Sequence, residues 1–62
     1  MTITVTIRTG NEAFQDGRLG AEVGRLLRQA AQRIEHEGLE VGYRMVLLDA
    51  NGNTCGAVTV KP

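Results

Sequence analysis

One long amphipathic segment, residues 17–37, constrains this chain of 62 residues more than any other feature. At about 100° per residue, its apolar side chains gather on one side of a helix and its polar side chains on the other. The apolar side holds Leu19, Val23, Leu26, Leu27, Ala30 and Ile34, and the polar side holds Arg18, Glu22, Arg25, Gln29, Gln32, Arg33 and His36. Because such a helix must bury its apolar side, the remaining residues have to supply a second layer.

Both ends of this helix carry recognisable signals. Asp16 is expected to be the N-cap, because its carboxylate can accept hydrogen bonds from the first free amides. Gly38 is expected to end the helix in the left-handed conformation, with Leu39 contacting Ile34 as in a Schellman ending.

Glycines inside the helix also need an explanation, because each costs about 1 kcal/mol relative to alanine. Gly20 and Gly24, with Ala31, flank the apolar side. We interpret them as a close approach of the helix backbone to the second layer. The alternative is a groove of small residues in which a second helix docks, outside a membrane because arginines surround it.

Residues 2–8 alternate apolar and polar side chains, which predicts a strand with one buried face. The side chains expected on that buried face are Ile3, Val5 and Ile7. Two more strands follow the helix, at residues 43–49 and 54–61. Asn51-Gly52 between them is a strong hairpin signal, because both residues tolerate positive φ.

The register of this hairpin follows from its hydrophobic pattern. A two-residue turn pairs Leu47 with Gly56 and Met45 with Val58, which gives an apolar face for the helix. A three-residue loop with a bulge would shift the register by one and mix the two faces, so the pattern argues against it.

The predicted fold class is α+β: a two-layer β-α-β-β domain, with one amphipathic helix packed on a three-stranded, mainly antiparallel sheet. Residues 1–62 form a single domain. The first strand is expected beside the third, giving the order 1-3-2. The alternative order, 3-2-1, places it parallel beside the second.

The face of the sheet away from the helix is predicted to be partly apolar. It carries Val46, Leu48, Cys55 and Ala57 beside the threonines of the first strand. Contiguous exposed apolar surface on a small protein usually marks an interaction site. These four residues therefore predict contact with a partner protein or a second copy; a modest patch on a monomer is the alternative.

Size also points to association. A chain this short buries only roughly 60% of its unfolded surface, and small folds commonly need a disulfide, a metal or a partner. Cys55 is the single cysteine and His36 the single histidine, so neither an internal disulfide nor a zinc site with about four ligands is expected. Self-association is left by elimination, with a well-packed monomer as the alternative.

Composition argues against several other functions. Seven basic residues balance seven acidic ones, so the basic excess typical of nucleic-acid binding is missing. Four arginines of the helix could still meet an acidic partner or RNA: Arg18, Arg25, Arg28 and Arg33. No apolar run approaches the ~20 residues that span a bilayer. With no signal peptide and a lone cysteine, the protein is expected in the cytoplasm, away from membranes.

No catalytic residues, metal ligands or cofactor site are predicted. Cys55 and His36 should lie about 25 to 30 Å apart, at opposite ends of a helix that rises ~1.5 Å per residue. They cannot share a proton, and Cys55 is expected to be a small apolar strand residue. The segment 49–53 lacks the glycine and glutamate of a calcium loop and is expected to form a turn.

The chain resembles a class of small proteins encoded by bacteriophages, prophages and other mobile elements. The resemblance lies in residues 11–14 (NEAF), the amphipathic helix and the hairpin 48–56 (LDANGNTCG). It implies a non-enzymatic binding protein of the host cytoplasm that acts by protein–protein contact. Its most concrete form would be inhibition of a host defence complex, as by anti-CRISPR proteins. A dimeric nucleic-acid-associated regulator and a virion structural or assembly component are the alternatives.

Overall fold

A computed structural model describes all 62 residues. The elements in chain order are β1 (Thr2–Ile7), a 3₁₀-helix (Glu12–Phe14), α1 (Leu19–Glu37), β2 (Arg44–Leu48) and β3 (Thr54–Lys61). One helix packs on a three-stranded antiparallel sheet in the order β1-β3-β2. The predicted fold class and the favoured strand order are confirmed.

The central strand, β3, sets the register of both neighbours. Val58 lies opposite Val5 of β1 and opposite Met45 of β2, and Gly56 lies opposite Leu47. The two predicted pairs with β2 are therefore confirmed. A Cβ atom at Gly56 would lie 1.8 Å from the carbonyl oxygen of Thr6 in β1. Only glycine therefore allows β1 and β3 to approach this closely.

The core lies between α1 and the sheet and is small, since 12 of the 62 residues are buried. Leu26 and Ala30 supply the helix side, and Met45, Leu47 and Val58 supply most of the sheet side. The 3₁₀-helix closes one end of the core with two further buried residues, Ala13 and Phe14.

The hairpin loop differs from the predicted two-residue turn. The N–H of Gly52 donates to the carbonyl oxygen of Asp49 at 2.9 Å, and the N–H of Asp49 donates to that of Asn53 at 2.8 Å. These bonds enclose a three-residue loop. Gly52 has a φ of 82°, whereas φ of Asn51 is not positive, and a type I′ turn needs positive φ at both positions. The prediction of a two-residue turn is wrong.

A β-bulge next to the loop restores the predicted register and moves Cys55. Leu48 pairs with Thr54 while Leu47 pairs with Gly56, so Cys55 is the extra residue on β3. The bulge turns its side chain into the core, where it is 1% exposed. The prediction that Cys55 lies on the open face is therefore wrong.

The helix covers β2 and β3 and leaves β1 largely open. Ile3 and Val5 lie on the helix side of the sheet, opposite Val60 and Val58, yet they are 46% and 44% exposed. A helix about 10 Å wide spans only about two strands at ~4.8 Å spacing. The predicted burial of this face of β1 fails at both positions, and Ile7 is half-buried.

The ends of α1 also differ in detail from the prediction. Asp16 has a φ of 58° and lies in a turn that the N–H of Arg18 closes on the carbonyl oxygen of Gln15 at 3.2 Å. It is therefore not the N-cap. Gly38 has a positive φ of 80°, but its ψ of 174° directs the chain away in an extended conformation. Its N–H donates one hydrogen bond to the carbonyl oxygen of Ile34, in place of the two hydrogen bonds of a Schellman ending.

The glycines within α1 do not approach the sheet. A Cβ atom at Gly20 would meet nothing within 4 Å, and one at Gly24 would meet only the terminal nitrogen of Arg28, at 3.3 Å. The prediction of a close helix–sheet approach at these positions is wrong. The alternative, a groove for a second helix, stays a prediction.

Candidate protein-binding site

The hairpin loop is fixed to the rest of the fold by the buried carboxylate of Asp49, which is 4% exposed. Its Oδ1 atom accepts hydrogen bonds from the N–H groups of Asn51 and Asn53 at 2.9 and 3.0 Å. Its Oδ2 atom accepts one from the side-chain amide of Asn11 at 2.9 Å. Burial raises the pKa of Asp49, but these hydrogen bonds outweigh it and leave the pKa below its ordinary value.

A second carboxylate, Glu22, attaches α1 to the same loop. It accepts hydrogen bonds from the Nε and Nη2 atoms of Arg25, at N···O distances of 2.8 and 2.9 Å, and from the main-chain N–H of Ala50 at 2.7 Å. The hydrogen bonds from Arg25 are the main reason that the pKa of Glu22 is lowered. The amphipathic pattern places Glu22 on the solvated side of the helix, whereas the structure buries it to 7% exposure.

These two carboxylates are structural groups. Both accept hydrogen bonds from fixed donors, and no buried side-chain nitrogen or oxygen in the molecule lacks a partner. Asn11 is far from Asp49 in sequence and Glu22 is far from Ala50, so spacing alone does not reveal either hydrogen bond. The bonds to Glu22 fix the position of Arg25. The Nη2 atom of Arg25 also donates to the main-chain oxygen of Leu48 at 3.3 Å.

Arg25 lies between two adjoining hollows. The first, which we term the β2 groove, has a volume of about 270 Å³ and runs between residues 45–48 and the side chains of Arg25, Gln29 and Arg33. The second, which we term the arginine hollow, has a volume of about 330 Å³ and is lined by Arg18, Arg25 and Arg28. Both hollows also reach Ala50, so they form one continuous surface.

The arginine hollow has a net positive charge. Arg18 is exposed and donates to the carbonyl oxygens of Gln15 and Glu12 at 3.0 and 2.9 Å. Arg28 is exposed and takes part in no salt bridge. Glu22 is the one carboxylate in the hollow and is already paired with Arg25. The guanidinium of Arg28 is therefore free for an incoming anionic group.

The apolar part of the surface lies on the open face of the sheet. Val46 and Leu48 are 44% and 48% exposed there. Both also border the β2 groove. Ala57 lies opposite Val46 in the ladder and is half-buried. The rest of this face is mainly threonine, from Thr2, Thr4 and Thr6 of β1 and Thr59 of β3.

The structure thus brings together most of the site residues predicted from sequence. The two hollows are lined by Val46, Leu48, Arg18, Arg25 and Arg28, whereas Ala57 lines neither and lies opposite Val46 in the ladder. Arg33, the fourth helix arginine named from sequence, lines the β2 groove as well. Gln29 was not predicted, although its spacing from Arg25 and Arg33 places all three along one side of a helix.

Cys55, the remaining predicted residue, lies outside this surface. Its thiol donates to the main-chain oxygen of Leu47 at 3.5 Å. Burial raises the pKa of Cys55, which keeps the thiol protonated and unreactive. The geometry fits the predicted role of a small apolar strand residue.

Neither helix combines the length and the apolar character needed to cross a membrane. No three histidine, cysteine, aspartate or glutamate side chains are grouped so as to hold a metal ion. Comparisons with protein-family models, with curated proteins and with solved structures found no match for this chain.

Proposed function

We propose that this protein is a non-enzymatic binding protein that acts by contact with another protein. One observation carries the proposal: half-exposed Val46 and Leu48 border the β2 groove, and this groove shares Arg25 and Ala50 with the hollow that three arginines line. Exposed apolar groups beside free charge are typical of interaction sites. This combination fits binding better than it fits catalysis, because the two buried carboxylates nearby, Glu22 and Asp49, already accept hydrogen bonds from fixed donors.

The chemistry of the surface indicates the kind of partner. An acidic side chain can enter the arginine hollow, where Arg28 can bind a carboxylate in a bidentate manner. An apolar side chain of the same partner can cover Val46 and Leu48. The expected partner therefore presents carboxylates next to an apolar patch.

Inhibition of a host defence complex is the most concrete form of this proposal. It rests on the resemblance of the chain to small phage and mobile-element proteins. A domain of this size could act by occupying a site on a larger complex in the host cytoplasm, with no cofactor. A homodimer formed through the open face would use the same Val46 and Leu48.

A nucleic-acid-associated regulator is the second candidate, and the arginine hollow favours it. The zero net charge of the chain opposes it, as does the scarcity of aromatic residues for base stacking. Fluorescence anisotropy with labelled DNA and RNA at low salt separates the two. Salt-sensitive binding that weakens in Arg28→Ala would replace the protein-binding proposal with this one.

The proposal is tested by capture from host lysate on immobilised protein. Wild type is compared with Val46→Glu/Leu48→Glu and with Val41→Glu, a control at an exposed apolar residue that lines neither hollow. Wild type and the control should retain the same protein, and the double variant should lose it. Equal retention by the double variant, with its fold intact by circular dichroism, would show that this surface is not the binding site.

A further inference from the structure

The two edges of the sheet differ in how well they are protected. In an antiparallel ladder, main-chain groups point alternately toward and away from the neighbouring strand. On β2 the N–H of Val60 donates to the oxygen of Tyr43, so the outward main-chain groups belong to Arg44, Val46 and Leu48. Arg25 already donates to the oxygen of Leu48, and Arg44 places a charge on this edge. Both features discourage pairing with another strand.

The β1 edge has no such protection. The N–H of Arg8 donates to the oxygen of Cys55 at 2.7 Å, which fixes the alternation along β1. The main-chain groups that point away from β3 are those of Ile3, Val5 and Ile7. Residues 2–7 contain no charge and no proline, and their ladder with β3 has no bulge. An open, uncharged edge without a bulge is a template for another strand.

Side chains along the same edge are also left uncovered. Ile3 and Val5 face the helix side of the sheet, but α1 does not reach them, and nearly half of each side chain is exposed. A strand added beside β1 would place its own side chains against them, since Cβ atoms of cross-strand neighbours lie about 4.5–5.5 Å apart.

We propose that β1 pairs antiparallel with β1 of a second copy of this chain, around a two-fold axis at Val5. In this register Val5 faces Val5 of the second copy, and Ile3 faces Ile7. All outward N–H and C=O groups of these three residues are then paired. On the other face of the sheet Thr4 lies opposite Thr6.

The sequence of β1 itself identifies the occupant as a second copy. The strand is self-complementary when two copies run antiparallel, because every facing pair in residues 3–7 joins two apolar side chains or two threonines. No cross-strand pair joins two charges, and the zero net charge of the chain does not oppose self-association. Pairing would also extend a small core, which chains of this length commonly need.

This interface goes beyond the proposed function and leaves that surface free. The dimer would be a six-stranded sheet in the order β2-β3-β1-β1-β3-β2, with both helices on one face. The arginine hollow and the β2 groove of each copy would lie at the two outer ends. The assembly would be bivalent, which strengthens binding to a partner that repeats its site.

The first test measures solution mass by sedimentation velocity over a concentration series. Wild type should dimerise, while Val5→Lys and Val5→Glu should each raise the dimer dissociation constant by more than about tenfold, because like charges would face each other at the axis. An equimolar mixture of the two variants should dimerise again. Val46→Lys is the matched control, since Val46 has the same exposure on the other edge, and it should dimerise like wild type.

Three results would overturn the proposal: a wild-type monomer at every concentration, a dimer unaffected by both Val5 variants, or a dimer lost in a folded Val46→Lys. Hydrogen exchange on wild type gives a second test that does not depend on how the variants fold. The amides of Ile3, Val5 and Ile7 should be slowed at high protein concentration and not at low concentration. Equal exchange of these amides at both concentrations would equally overturn it.

Discussion

The carboxylate of Glu22, in the first turn of α1, accepts a hydrogen bond of 2.7 Å from the main-chain N–H of Ala50 in the hairpin loop. This bond joins two segments separated by 28 residues in sequence. With Asp49 bound to Asn11 on the other side, it fixes the loop and the position of Arg25. The shape of both hollows therefore depends on two ionised carboxylates.

We expect the stability of the fold to decrease in acid because of these groups. The pKa values of Glu22 and Asp49 are both lowered by folding. Carboxyls of this kind stabilise the native state above their unfolded pKa, and the stabilisation is lost as the pH falls below about 4 and through their folded pKa values. Urea denaturation midpoints measured between neutral and acidic pH should fall on acidification.

Glu22→Gln separates the contribution of one carboxylate. The variant should be less stable than wild type at neutral pH, because the amide cannot form the charged pair with Arg25, and its stability should fall less on acidification. Glu35→Gln, on the exposed side of the same helix, is the control and should leave the pH profile unchanged. Identical profiles for Glu22→Gln and wild type would show that this network does not stabilise the fold.

Glycine substitutions should have opposite effects in β3 and in α1. Gly56→Ala places a Cβ atom 1.8 Å from the main-chain oxygen of Thr6. Since the strands must separate to admit it, we expect a loss of about 3 kcal/mol or more in the free energy of unfolding. Gly24→Ala meets only the flexible end of Arg28 and should add about 0.5–1 kcal/mol. Chemical denaturation of both variants tests this, and equal effects would contradict the contacts described for Gly56.

The fold could be predicted from sequence because its periodicities are strong and local. The alternation in β1 and the apolar stripe of α1 can be seen in the order of neighbouring residues. The pairing of Met45 with Val58 follows from the same kind of pattern on the two strands of the hairpin. Long-range contacts carry no such signal. The burial of Glu22 depends on a main-chain N–H far along the chain, and the exposure of Ile3 depends on where a helix of limited width lies.

Errors at the candidate site have a local origin. The Asn51-Gly52 signal is compatible with both a two-residue turn and a three-residue loop, and the choice decides which way Cys55 points. The extra residue in the loop and the extra residue in the bulge cancel, so the ladder beyond the bulge keeps the predicted register while Cys55 changes sides. For this reason Val46 and Leu48 were placed correctly on the open face.

The hairpin loop gives a test of this conformation. Gly52→Ala should lower the free energy of unfolding by about 1–2 kcal/mol, because alanine is strained at a φ of 82°. Asn51→Ala should change this free energy by less than about 0.5 kcal/mol. The φ of residue 51 is not positive, and the hydrogen bond from its main-chain N–H to the carboxylate of Asp49 remains. A two-residue type I′ turn would make both substitutions costly, so a large effect of Asn51→Ala would contradict the three-residue loop.

Cys55 should report on opening of the core. Its side chain is buried, its thiol donates to Leu47, and burial raises its pKa. The thiolate of Cys55 can therefore attack a disulfide reagent such as DTNB only when β3 separates from its neighbours. We expect labelling of the native protein to be at least about a hundredfold slower than labelling in denaturant. Gly56→Ala, which strains the same strand, should label faster than wild type, whereas Gly24→Ala should label no faster. Rapid labelling of native wild type would instead place the thiol at the surface, on the open face of the sheet, as the two-residue turn requires.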